Sequence, residues 1–249
     1  MIGADSIGLV LDALRPERRA LLELLSELDA DQWSATTECP EFTVKGIATH
    51  LLGDDLSLLS RQRDGAASGL VGIARDHPGA DIRELLAIFN ERWVTACEFF
   101  SVEVLVELLE LSGEWTAAYY EHVDPAAPGE HVGFFGGTEA SSPYWQSIAR
   151  EYYERWIHHS QIRRAVGQPS LARRPLLDVG VEIAATVTGL YAGMPADPDG
   201  HWFLGAVDLG QAQQAADVLT WAHTADEIPS FMVGPLEEVN VLESFGARP

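Results

Sequence analysis

Residues 143–166 read PYWQSIAREYYERWIHHSQIRRAV, followed at once by Gly167 and, two residues on, by Pro169. Aromatic and aliphatic positions recur there at helical spacing, and Gly then Pro is the punctuation that ends a helix. Within it Glu154 and His158 stand four residues apart, so both side chains lie on one face. One rigid helix can therefore offer a carboxylate oxygen and an imidazole nitrogen to a single ion. That donor pair suits zinc best, while manganese, iron or nickel also fit. Two ligands hold a metal weakly, and a third is expected from a neighbouring helix, as bundle cores commonly arrange.

Other segments repeat the helical pattern. Residues 4–28 form a first amphipathic stretch with Val10, Leu14, Leu21, Leu24, Leu25 and Leu28 on one side and Pro16 as a kink or a restart. A turn-rich stretch, WSATTECPEFT, precedes a second helix running to about Gln62, with Thr43 as its N-cap. Residues 65–79 read as loop or weak helix. A third helical pattern opens near Ala80, with a break at Ser101 and a weak point at Gly113. Residues 124–143 are loop.

Composition changes near Pro169–Pro175. Beyond it, HWFLGAVDLG, SFMVG and EVNVLESF are strand-like around a helical QAQQAADVLTWAH. The expected organisation is a helical bundle over 1–169 and a small α+β domain over 170–249.

The chain has 249 residues, 47% of them hydrophobic, and 38 acids against 16 Lys and Arg, for a net charge of −22. Such a field repels phosphate backbones, so nucleic acid is not an expected partner. No run approaches the roughly 20 apolar residues of a membrane span, and the N-terminus lacks the basic region of a signal peptide. A cytoplasmic protein, monomer or homodimer, is expected. Cys39 and Cys97 have no metal-type spacing and read as small buried hydrophobes.

Of the eight histidines, His77, His122, His131, His201 and His223 fall in loops, at element ends or after the boundary. His159 points about 100° away from His158. His50 alone sits well inside another apolar helix, where it is either the third ligand or a hydrogen-bonded core residue.

Two motifs bear on that choice. The first is Trp33, Cys39-Pro40, Phe42-Thr43-Val44 and His50-Leu51; the second is Glu154, His158, Ile162-Arg163 and Gly167-Gln168-Pro169. Together they resemble the DinB-like superfamily, in the branch of mycothiol-dependent maleylpyruvate isomerases. Gln161 stands where many members carry Asp. The resemblance implies a mainly α, DinB-like four-helix bundle followed by a small C-terminal domain. It also implies His50, Glu154 and His158 as metal ligands and mycothiol as cosubstrate.

The activity it implies is zinc-dependent isomerisation or S-conjugation of a small electrophile through that thiol. A metal-dependent hydrolase on the same site and a non-catalytic metal- or ligand-binding bundle are the rival readings. Asp54, one turn after His50, is a candidate base or ligand-orienting group, or else a surface acid. Glu151 and Gln161 share the ligand face and are candidates to touch substrate, or else ordinary polar surface. Arg163 and Arg164, with Arg173 and Arg174, are candidates to bind a carboxylate or the thiol cofactor, or are simply placed well at a helix C-terminus. Trp145, Tyr152, Tyr153 and Trp156 read as core and pocket wall.

Overall fold

The computed structural model describes residues 3–37, 39, 41–80, 82–130 and 141–169, with two short strands farther on. Among them are seven α-helices: α1 Gly8–Ser26, α2 Ala30–Trp33, α3 Val44–Leu58, α4 Gly69–Asp76, α5 Ile82–Ala96, α6 Val102–Tyr120 and α7 Tyr144–Ala165. The expected helix starts and stops are present. Thr43 caps α3 by accepting from the Gly46 amide at 3.2 Å, Ser101 caps α6, and Gly167 ends α7 in the left-handed region at φ 70°. The helix of α1 runs on through Pro16, and residues 69–76 are helix where loop or weak helix was expected.

Four helices form the bundle: α1 packs on α6 and α7, and α3 packs on the same two. Cross-contacts fix the directions. Asp55 meets Ser112, and Tyr119 meets Gln62, so α3 and α6 run parallel. Glu17 meets His159 across α1 and α7, while His50 lies against His158 with Gln62 against Ser147, so α7 runs with α1 and against α3. A parallel α3–α6 pair needs a return segment between them, and α5 supplies it by lying on the outside of α3. The helical pattern that opens near Ala80 is therefore two elements. The first is this crossover, and only the part after Ser101 enters the bundle.

The core has two apolar ends. Val10, Leu14, Tyr120, Ile148, Tyr152 and Trp156 fill one, and Leu21, Leu25, Trp33, Ile47, Leu51, Leu105, Leu109 and Ile162 fill the other. Each such side chain withdrawn from water contributes about 1.5–3 kcal/mol. Tyr152, Tyr153 and Trp156 are fully buried and Trp145 packs partly buried against them, as the sequence suggested.

Between the two ends lies a buried polar layer. Asp55 on α3 accepts from Arg155 of α7 at 2.6 Å and from Ser112 of α6 at 2.6 Å, and pairs with Arg18 of α1 at 2.9 Å. Burial opposes its charge, yet Arg18 and Arg155 outweigh burial and hold the carboxyl below its ordinary value. Arg18 also donates to the Leu109 carbonyl at 3.0 Å. It lies flat on Gly113, where an added Cβ would come within 2.9 Å of Arg18 Cγ. The glycine read as a weak point is thus the space that admits a buried arginine. Next to this group Glu17 pairs with His159 at 3.0 Å, both wholly buried.

After residue 169 the described residues are Phe203–Leu204 and Val207–Asp208, which pair antiparallel inside the strand-like HWFLGAVDLG segment. The other expectations for residues 170–249 lie outside the described residues.

Taking one partner out of a buried ion pair costs about 3–5 kcal/mol, because the remaining charges keep their desolvation penalty. Asp55→Ala is expected to lose that much stability, read as a lower urea midpoint with an unchanged slope. An unaltered midpoint would show that the polar layer does not hold the bundle.

Candidate metal centre

The site lies along the α3–α7 seam, beneath α5. His50 sits midway along α3, and Glu154 and His158 sit one turn apart on α7. One donor atom from each lies within 4.8 Å of the others, making the group of His, Cys, Asp and Glu among the described residues that can hold a metal ion. The His50 and His158 rings meet edge to face with centroids 4.8 Å apart, and Phe42 stacks on the other side of His50 at 5.6 Å. The i, i+4 spacing on α7 put two of these donors together, and the antiparallel register of α3 brought the third.

The ionisation of the group fits a cation. Burial, and then the neighbouring His158, push His50 down to about 3, so its imidazole is neutral. Burial would raise Glu154, but Arg150 and then the His158 hydrogen bond overcome that and hold it at about 2. A neutral imidazole and an ionised carboxylate are the forms that bind a divalent metal. For His158, burial lowers the ring, but the hydrogen bond to Glu154 prevails and raises it. His158 is thus the member of the group at which a proton would compete with a bound cation.

Outer partners orient each donor. Gln161 Oε1 lies 2.7 Å from His158 Nδ1, so Nδ1–H donates to it and Nε2 is the nitrogen turned to Glu154 Oε2, 3.5 Å away, where a cation would take the place of its proton. Asn90 of α5 hydrogen-bonds His50. Gly53 lets α5 come this close: an added Cβ there would lie 2.6 Å from the Trp93 ring.

Asp54 stands at the centre, its Oδ2 3.4 Å from His50 Nε2, and burial raises its carboxyl to about 6. Glu151 is nearly buried one turn before Glu154's face, raised by burial to about 7, and pairs with Arg150 at 3.2 Å. Gln161, 1% exposed, turns to His158 and to Cys39, whose Sγ donates to its amide oxygen at 3.4 Å. Arg163 donates to the Pro169 carbonyl beyond the helix end, and Arg164 shares that last turn. Among the described residues Arg150 also reaches the group, bonding Glu154 at 3.4 Å. Its sequence signal was the same four-residue spacing, read backwards from Glu154. Asn90 and Trp93 lie far from α7 in sequence, and no local pattern marked them, whereas Phe42 stands in the first of the two motifs. His159 points to Glu17, as its place on the helix required, and Cys97 is buried with its thiol pushed up by burial.

A helical bundle with one two-histidine, one-carboxylate group at the seam of two helices is the class of protein these features define. The family model described as mycothiol maleylpyruvate isomerase N-terminal domain matches residues 14–163, more than half of the chain, and the chain belongs to that family. Searches of curated proteins and of solved structures gave no significant match. No helix among the described residues is long and apolar enough to cross a membrane.

Because His158 must lose its proton to bind a metal, affinity should weaken on acidification. Below the raised His158 value each pH unit is expected to cost up to about tenfold in metal affinity, and above it the curve should flatten. Chelator competition across pH 5–9 checks this; a flat profile would remove His158 from the ligand set.

Proposed function

We propose that this protein is a zinc-dependent enzyme that turns a small thiol, mycothiol, on a small electrophilic substrate, isomerising it or conjugating it. The observation that carries the reading is the convergence of His50, Glu154 and His158 on a bundle of this family, with His50 held neutral and Glu154 held ionised. Two nitrogens and one oxygen suit zinc, and three protein ligands leave a position for an exogenous one. A divalent cation at such a centre stabilises thiolate over thiol.

The chain's own residues supply the rest. Asp54 Oδ2 is the base beside the centre; with its carboxyl near 6 it is largely ionised at neutral pH yet able to carry a proton. It takes the thiol proton. The sulfur then adds to one carbon of a conjugated double bond, whose electron pair moves to the carbonyl oxygen. Rotation about the new single bond and expulsion of the thiolate give the isomer, and the proton returns to sulfur. If Asp54 instead gives its proton to the adjacent carbon, the sulfur stays and the product is the conjugate. Phe42, stacked on His50, and Trp93, set against Gly53 one turn along α3, limit the approach of water to His50 while this occurs. Glu151 faces the same seam and is a second proton carrier for it.

Metal analysis of wild type beside His50→Ala is expected to show about one equivalent in the first and little in the second. Wild type is then assayed on maleylpyruvate with and without mycothiol, and turnover is expected only with the thiol. Equal metal in the two proteins would overturn the ligand assignment. Turnover without thiol would replace the reading by metal-assisted hydrolysis, and full metal with no turnover of any conjugated electrophile would make the bundle a binding protein.

A further inference from the structure

Arg150 stands one turn ahead of Glu154 on the face that carries the metal group, and the proposed reaction does not use it. Its two amino groups hold two different acids: Nη1 bonds Glu151 Oε1 at 3.2 Å and Nη2 bonds Glu154 Oε1 at 3.4 Å. The other oxygen of Glu154, Oε2, faces His158 Nε2 at 3.5 Å. The carboxylate is therefore divided, one oxygen toward a guanidinium and the other toward the imidazole nitrogen that the Gln161 contact leaves free of Gln161 and turned to the seam.

We propose that Arg150 is a positioning residue that reserves Glu154 Oε2 as the single metal donor of that carboxylate, so that Glu154 does not close the remaining coordination position by binding through both oxygens. The inference rests on the reading of His50, Glu154 and His158 as ligands. An ordinary surface pair explains the arrangement less well. Arg placed four residues before Glu is the weaker order for a helical ion pair, and the acids it grips are only 8% and 14% exposed. The arginine, itself 37% exposed, reaches from the rim of the seam to both acids. The forked guanidinium also matters, since its two amino groups span two carboxylates at fixed geometry, which a lysine ammonium cannot do.

The test uses the full-length protein titrated with Co²⁺, whose visible absorption reports coordination number, in wild type, Arg150→Gln and Arg150→Lys. Wild type is expected to give the intense bands of a four-coordinate site. Arg150→Gln should bind about 10–100-fold more weakly, the range seen when an outer partner of a ligand is removed, with weaker bands of five-coordinate character. Arg150→Lys should recover part of the affinity while keeping the altered spectrum. Either variant that folds suffices, with far-UV circular dichroism of the metal-free proteins as the check on folding. Wild-type affinity and spectrum in a folded variant would overturn the role of Arg150 alone. Failure of wild type to bind cobalt would overturn the ligand assignment and Arg150's role with it.

Discussion

The carboxylate of Asp55 touches all four helices of the bundle. It belongs to α3, pairs with Arg18 of α1 and Arg155 of α7, and accepts from Ser112 of α6. Apolar contacts alone tolerate sliding, since one leucine can stand in for another a turn away. A buried carboxylate between two buried guanidiniums does not, because a slip of one turn would leave three charges unpaired in a low dielectric. The polar layer therefore sets the axial register of the four helices, and the apolar ends supply most of the stability.

That register also builds the metal group. Asp54 and Asp55, Glu154 and Arg155, His158 and His159 are neighbours in sequence that part company in space. The first of each pair faces the α3–α7 seam, while the second enters the polar layer. Adjacent helical residues point about 100° apart, so one alignment of α3 with α7 satisfies both sets at once.

The helices and their caps were legible because they are local: Thr43, Ser101 and Gly167 mark ends that the chain itself dictates. Glu154 and His158 were legible for the same reason, as a spacing along one helix. His50 was reached only by setting aside the other histidines, and two short motifs made it more than a core residue. What stayed hidden was non-local. Nothing along the chain says that α5 leaves the bundle, that Asn90 meets His50, or that Arg18 and Arg155 share Asp55. Arg163 and Arg164 drew notice as a charge pair, whereas the arginine beside the metal group, Arg150, sits singly in a run of aromatics.

The crossover has a consequence for solvent access. With α3 and α6 parallel, the chain has to travel back along the bundle between them, and α5 is that journey. A bundle whose consecutive helices simply alternated would have needed only a tight turn there, and the His50 side of the seam would lie open to water. The connectivity thus gives the site a covering wall, and that wall lies outside the four-helix frame, resting on α3 where Gly53 meets Trp93. Cover for the candidate site and integrity of the fold are in this way assigned to different helices.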